Sequence, residues 1–334
     1  MEPSQVTPIE EGWEEMEQSW AERIFNTATS SQPEALDAVI SQADEGIDAQ
    51  NSYGLTALHL AVLNRNETAT EVLWSYGADI EALATDGRRP LYMAVEGRCV
   101  EIVQALLSHS AVPDAEAQGL TPLHAAVLKD DLEICSMLLG YRADVSARTS
   151  DGREPLFLAV KKGNPNIVKL LLECHADPDS ICAEDPPTAL HLACDNGSLD
   201  VIEILLEHGA SVNSLREMDG GTPLLRAVAS GSLDAVKLLL QRGAKTLIWG
   251  TDGQSVFDLA KENDEMLQIL EGEMILLGPR IRNFDEAGEA EQRSPELKPP
   301  PPPTESDRDK AVACHGFDAI TVDFFTTGEH EKLV

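Results

Sequence analysis

The stretch Thr56-Ala57-Leu58-His59-Leu60-Ala61 decides the fold, because versions of it return through most of the chain. It recurs as Thr121-Pro122-Leu123-His124-Ala125-Ala126 and as Thr188-Ala189-Leu190-His191-Leu192-Ala193. Divergent copies start at Arg89, Glu154, Thr222 and Ser255. The spacing between copies is 33, 32, 33, 34, 34 and 32 residues, counted between Leu58, Leu91, Leu123, Leu156, Leu190, Leu224 and Val256. Such near-constant spacing indicates a repeat protein, in which each unit buries its apolar face against its neighbours.

Each unit carries a second apolar segment, such as residues 102–107 and 167–172. Apolar residues in these segments recur at intervals of three and four, which is the period of an amphipathic helix. Gly77 and Gly209 follow such segments, as expected for a left-handed helix cap. Asp-Gly pairs between the units favour turns. The pattern predicts an all-α fold of stacked helix–turn–helix units joined by β-turn or hairpin-like loops.

The polar residues of the motif have structural roles in this prediction. The hydroxyl of a threonine at a helix start accepts hydrogen bonds from free backbone amides, and a proline in the first turn has its φ angle preset. The histidine three positions later lies over the same turn and can bond to it. We expect this role for three Thr/His pairs: Thr56 with His59, Thr121 with His124, and Thr188 with His191.

These residues resemble the ankyrin-repeat family, whose period is 33 residues and whose signature includes Thr-Pro-Leu-His-x-Ala. The likeness covers roughly residues 53–271. It implies a solenoid that binds proteins through its concave face, which the loop tips and the short first helices form. Many different binding roles share this fold, so the likeness names no partner. Residues 314–325 resemble a segment of large fungal ankyrin-array proteins.

Composition divides the chain into segments around the repeats. Acidic, Pro-rich sequence with few apolar residues is typical of disorder, so we predict a disordered tail after the last repeat. The run from Pro299 to Pro303 fits a stiff spacer or a ligand for an aromatic groove. The predicted segments are a flexible N-terminus (1–19), an ankyrin-repeat solenoid (20–271), an acidic Pro-rich linker (272–313) and a short apolar segment (314–334). Within the solenoid we predict a capping repeat (20–52), repeats (53–250) and a C-terminal cap (251–271).

The charge of the chain excludes several partners. It has 58 acidic and 25 basic residues, a formal net charge of −33 and a pI of about 4.4. Phosphate backbones and anionic membranes repel such a surface, so we expect neither nucleic-acid nor membrane binding. The sequence lacks a signal-peptide pattern and a long apolar run. We expect a soluble cytoplasmic protein, monomeric on its own, with the nucleus left open as a location.

The histidines and cysteines do not converge on a metal or catalytic site in this prediction. Three histidines share one repeat position and are therefore spaced along the array. Cys174, His175 and Cys182 lack a fourth zinc ligand. Cys314-His315 lacks an acid partner. We therefore predict no catalytic residue, no metal site and no cofactor, and we interpret five of the six cysteines as reduced core residues.

The few cations are the candidate binding residues. By repeat register they fall on the loops and first helices, which suggests a basic stripe for an acidic peptide or protein patch. The alternative is a scatter of solvated charges of little energetic value, partly cancelled by neighbouring carboxylates. Tyr92 and Phe157 replace the motif histidine and fit either groove anchors or packing between helices. The candidate partner-binding residues are Arg88, Arg89, Arg98, Lys129, Arg153, Lys161, Lys162 and Arg226.

The sequence thus favours a non-enzymatic scaffold or adaptor that binds a partner protein through the concave face. The alternative is a regulatory or inhibitory subunit of an enzyme complex that docks through its C-terminal tail. No motif of the chain supports an enzyme in its own right.

Overall fold

The computed structural model describes residues 20–30, 33–42, 46–181, 187–216, 220–251 and 253–276. Over these residues the chain forms sixteen α-helices, two isolated β-bridges and no β-strand, so the prediction of an all-α repeat fold is confirmed. The chain divides into two compact units, the first ending at Ala176 and the second beginning at Asp177. The predicted segments 1–19 and 314–334, with most of the predicted linker, lie outside the described residues.

The first unit contains five helix pairs. Their bounds are α1 Trp20–Ala28, α2 Pro33–Ile40, α3 Ala57–Leu63, α4 Glu67–Ser75, α5 Pro90–Glu96, α6 Val100–Ser108, α7 Pro122–Leu128, α8 Leu132–Gly140, α9 Pro155–Lys162 and α10 Pro165–Glu173.

The second unit contains three helix pairs in its described part. Their bounds are α11 Ala189–Asp195, α12 Leu199–Glu207, α13 Pro223–Ala229, α14 Leu233–Gln241, α15 Val256–Ala260 and α16 Asp264–Leu276. The last helix continues five residues beyond 271, where we placed the end of the solenoid.

The helices of each unit form two layers. In the first unit the first helices of successive pairs pack in the order α1, α3, α5, α7 and α9, and the second helices in the order α2, α4, α6, α8 and α10. The second unit repeats this with α11, α13 and α15 in one layer and α12, α14 and α16 in the other. The core of each unit lies between its two layers.

The motif leucine anchors each repeat in this core. Leu58 and Leu123 have no solvent-exposed surface, and Leu91 and Leu156 are only 1% exposed. Burial of a leucine side chain stabilises a fold by about 1.5–3 kcal/mol, so one such residue in every repeat sustains the stack. The motif alanine is also fully buried, as at Ala61, because neighbouring first helices approach closely there.

A ladder of side-chain-to-backbone hydrogen bonds links neighbouring repeats. In the first unit Asp48 accepts from the backbone N–H of Asp79 at 2.8 Å, and Asp114 accepts from that of Asp144 at 2.8 Å. In the second unit Asn213 accepts from the N–H of Lys245 at 2.8 Å. In each case a side chain in one connecting loop accepts a hydrogen bond from a backbone N–H in the loop of the next repeat. These N–H groups lie outside the helices and have no partner within a helix.

The connecting loops also touch one another within the first unit. The N–H of Thr85 donates to the carbonyl of Tyr53 at 3.1 Å, which brings the next loop against Gly54. A Cβ atom on Gly54 would lie only 2.6 Å from the backbone nitrogen of Thr85. Gly54 also has a left-handed φ of 70°, so both its conformation and its neighbour require glycine.

A comparison of Gly54 with Gly77 separates the cost of the left-handed backbone from the cost of the contact with the next loop. Gly77 has a φ of 84° but no atom within 4 Å of its virtual Cβ. We expect Gly77→Ala to cost about 1 kcal/mol of unfolding free energy from backbone strain alone. Gly54→Ala should cost at least about 1 kcal/mol more, since the loop of the next repeat must shift. Urea denaturation of both variants measures the difference. Equal losses would show that the contact between the loops contributes nothing.

Candidate functional site

The Thr/His pairs of the motif are built into the starts of the first helices. The Oγ1 of Thr121 lies 2.8 Å from Nδ1 of His124, and the N–H of Thr121 donates to the same Nδ1 at 3.2 Å. Since a backbone N–H can only donate, Nδ1 is the acceptor and Nε2 carries the proton of the neutral ring. Thr56 with His59 and Thr188 with His191 form the same capping box.

The second ring nitrogen of these histidines reaches into the next repeat. His124 Nε2 lies 3.2 Å from the carbonyl oxygen of Arg153, and His191 Nε2 lies 3.1 Å from that of Gly221. Both nitrogens of His124 and His191 are thus used by the fold, whereas Nε2 of His59 is buried without a hydrogen-bond partner among the described residues. Burial lowers the pKa of His59 and of His124 below the ordinary value of 6.5. The rings of His124 and His191 therefore hold neighbouring repeats together through backbone carbonyls.

The two aromatic residues that replace the motif histidine differ in environment. Tyr92 is buried, and burial raises the pKa of its hydroxyl to about 12, so it packs between helices. Phe157 is half-buried, and the guanidinium of Arg153 lies 5.7 Å from its ring centroid. Of the two, Phe157 therefore contributes to the accessible surface.

Arginines among the candidate binding residues are paired with carboxylates. Arg88 contacts Asp86 at 2.7 Å and Glu96 at 3.0 Å, and Arg89 contacts Glu81 at 3.1 Å. These pairs are local, within one connecting loop and the helix that follows it. They reduce the positive field that the sequence register alone suggests.

The same holds further along the array. Arg98 donates to Asp131 at 2.8 Å, across one repeat, while Asp131 also caps α8. Arg153 contacts Asp151 at 3.0 Å. In the second unit Arg226 lies 3.8 Å from Asp195.

Lys161 and Lys162 differ from these arginines. Both are exposed in the last turn of α9, and neither forms an ion pair within the described part of the chain. Lys129, the cap residue at the end of α7, holds the register position of Lys162 one repeat earlier. The cationic part of this surface that keeps its charge open to solvent is therefore the end of α9.

The first-helix face also carries apolar residues that the motif did not reveal. Seven residues after the motif start stand Leu63, Glu96, Leu128 and Lys161 in four successive repeats. Leu63 is 48% exposed and Leu128 is 36% exposed. The repeat spacing predicts that these residues are equivalent, but it does not predict that Leu63 and Leu128 are exposed at the ends of their helices.

A family model described as ankyrin repeats (3 copies) matches residues 24–117, 77–149, 111–182 and 156–248. The chain belongs to the ankyrin-repeat family. Ankyrin repeats are a general protein-interaction module and typically non-catalytic. The identification of the sequence as an ankyrin-repeat protein is thus confirmed.

Individual relatives match only part of the chain. The B-cell lymphoma 3 protein homolog of Mus musculus is 35% identical over 132 residues, covering 38% of this chain and 30% of that protein. The tyrosine-protein kinase HTK16 of Hydra vulgaris is 30% identical over 128 residues, covering 37% of this chain and 17% of that protein. The chain thus spans less than a third of the length of either relative, and the kinase activity in the second name belongs to that protein.

A solved structure shows the same fold. The crystal structure of the human ASB11 ankyrin repeat domain superposes with a TM-score of 0.56 at 25% sequence identity. The match covers 66% of this chain and 98% of that one.

The cysteines of the described ranges are free thiols. Cys99, Cys135 and Cys194 are buried free thiols, and burial raises the pKa of Cys135 to about 12. Cys174 is free and half-buried, whereas Cys182 and Cys314 lie outside the described residues. No cluster of three His, Cys, Asp or Glu side chains suited to a metal occurs where the structure describes the chain. Nor does any helix there have the length and apolar character to cross a membrane.

The buried histidines predict a pH dependence of stability. Because their pKa is lowered in the folded chain, the unfolded chain binds more protons than the folded chain near and below pH 6.5. The unfolding free energy therefore falls as pH drops through 6.5. We expect His124→Leu, which copies Leu225 at this position, to flatten the change in unfolding free energy between pH 7.5 and pH 5.5 (about the range in which histidine titrates). Thr121→Val removes the capping hydroxyl but keeps the ring, so it should lower stability and keep the pH dependence. Urea denaturation at both pH values measures these free energies. If the unfolding free energy of His124→Leu changes with pH as much as that of the wild type, the buried His124 does not cause the pH dependence.

Proposed function

We propose that this chain is a scaffold or adaptor that binds a partner protein through the concave face formed by its first helices and connecting loops. The partner presents an acidic patch to the basic residues of this face. Arg88, Arg89, Arg98, Lys129, Arg153, Lys161 and Lys162 belong to the first unit, and Arg226 contributes separately in the second unit.

The pair Lys161 and Lys162 is the observation that supports the proposal best. The arginines nearby form ion pairs with carboxylates at hydrogen-bond distance, whereas the ammonium groups of Lys161 and Lys162 are exposed and form no ion pair among the described residues. An incoming carboxylate meets them without first breaking an internal pair. Such rim charges contribute mainly to the association rate and to specificity.

Exposed apolar residues in the same layer as the lysines supply the other part of an interface. Leu63 and Leu128 lie in the same layer and register position as Lys161. Burial of apolar area drives most protein association, while the charges select the partner. Because the repeats hold these side chains on rigid helices, little conformational entropy is lost on binding.

Charge reversal tests the proposal. We expect Lys161→Glu/Lys162→Glu to reduce, at least about fivefold, the amount of each specific protein that the full chain captures, since the carboxylates repel an acidic patch. Quantitative mass spectrometry of affinity-purified complexes measures this, followed by calorimetry with the main captured protein.

The matched control is Lys169→Glu, which reverses one exposed charge on α10 in the other layer of the same unit. It should leave the captured set unchanged. If the double reversal leaves capture unchanged as well, the lysines have no part in binding. If the control weakens capture equally, the effect is one of net charge only.

A further inference from the structure

The second-helix layer of the first unit exposes an unusual number of large apolar side chains. Trp74, Tyr76, Leu132 and Tyr141 are 40%, 43%, 41% and 38% exposed. The chain has only four tryptophans and four tyrosines, and three of these eight lie on this one surface. Single exposed apolar residues are ordinary, but a contiguous group marks an interaction surface.

Contacts with α6 connect Trp74 and Tyr141 across successive repeats. The rings of Trp74 and His109 meet with their centroids 3.4 Å apart, which links α4 to the end of α6. The side-chain amide of Gln104 on α6 donates to the hydroxyl of Tyr141 at 2.9 Å. We call this surface the aromatic outer face; it comprises Trp74, Tyr76, His109, Leu132 and Tyr141.

The contacts also fix the rings before any partner arrives. The hydroxyl of Tyr76 donates to Asp37 on α2 at 2.8 Å, and this hydrogen bond raises the pKa of Tyr76. Next to Tyr141, a shallow groove between α6 and α8 is lined by Gln104, Leu132, Glu133, Ser136 and Met137. Methionine adapts its shape to different apolar side chains, which suits such a groove.

The four helices that carry this face have charge of a single sign, although the exposed Arg142 directly follows Tyr141. Helices α2, α4, α6 and α8 carry no lysine or arginine. None of their carboxylates forms an ion pair within the described ranges. The carboxylates are those of Glu34, Asp37, Glu67, Glu71, Glu101 and Glu133.

We propose that the aromatic outer face docks a segment of another protein in which arginine alternates with apolar side chains. A guanidinium stacks favourably on the face of a tryptophan or tyrosine ring. The carboxylates of Glu101 and Glu133 accept charge-assisted hydrogen bonds from the same groups. Apolar side chains of the segment fill the groove between α6 and α8.

Charge complementarity selects this occupant over two others. A second copy of the chain brings the same carboxylates to the interface, so like charges face each other. The chain's own residues 277–334 hold twelve acidic and seven basic residues and are also net negative. This docking surface lies on the layer opposite the first-helix face. The proposal is therefore independent of the proposed function, and either one can fail without the other.

A peptide titration of the full chain tests the proposal. The probes are four capped synthetic peptides of equal length that alternate Arg with Leu, Lys with Leu, Arg with Ser, and Glu with Leu. We expect the Arg/Leu peptide to bind tightest in calorimetry at physiological salt. Trp74→Ala/Tyr141→Ala should weaken it about tenfold or more, since two cation–ring contacts are lost without any change of charge.

Two matched controls make the test specific. Trp249→Ala removes a tryptophan that is 42% exposed in the second unit, and it should change the affinity less than about twofold. Glu101→Lys/Glu133→Lys should weaken binding strongly, whereas Glu207→Lys, on α12 of the second unit, should not. Because all replaced side chains are exposed, thermal unfolding that matches the wild type verifies the fold.

Three results would overturn the proposal. If Arg/Ser binds as tightly as Arg/Leu and the aromatic variants change nothing, the chain attracts cations only through its net charge of −33. If the Glu/Leu peptide binds as tightly as the Arg/Leu peptide, the face binds apolar side chains without a preference for arginine. Sedimentation that shows a dimer abolished by Trp74→Ala/Tyr141→Ala would identify a second copy as the occupant.

Discussion

The distance between neighbouring repeats is the constraint on which the rest of the structure depends. A single helix pair is too small to bury its apolar face, so each motif leucine is buried only because the next pair covers it. The same spacing allows His124 to reach the carbonyl of Arg153 and brings the backbone of Thr85 against the site of Gly54. A larger side chain at the motif alanines would separate first helices and break these contacts together.

The acidic character of the chain has two different origins. Carboxylates such as Asp48 and Asp114 are internal parts of the fold, because they satisfy backbone amides of the following repeat. Others are exposed and unpaired, as on α4, α6 and α8. The arginines of the first-helix layer are largely matched to local carboxylates, whereas the carboxylates of α4, α6 and α8 form no ion pair within the described residues.

The sequence predicts what each repeat does alone and misses what depends on side-chain geometry. The 33-residue spacing of leucines and the Thr/His pairs identify the helices, their caps and their packing order, since these follow from local chemistry and burial. The sequence register placed Arg88 and Arg89 correctly on a loop and at a helix start, but whether they meet Asp86 and Glu81 depends on rotamers. Trp74 and Tyr76 occupy positions outside the motif, so nothing in the repeat pattern predicts that both are exposed, one towards α6 and the other towards α2.

A scaffold needs surfaces that different partners can occupy without displacing each other, and the two-layer build of the first unit supplies them. The first helices and second helices share one core, so the buried leucines fix both layers, while their outward residues can vary separately. On one layer the open charge at Lys161 and Lys162 favours an anionic partner. On the other, Trp74, Tyr141 and the unpaired glutamates favour a cationic one. Because the two proposed preferences are opposite in sign, a segment that suits one proposed face is repelled by the other, so the two proposals require two chemically different partners.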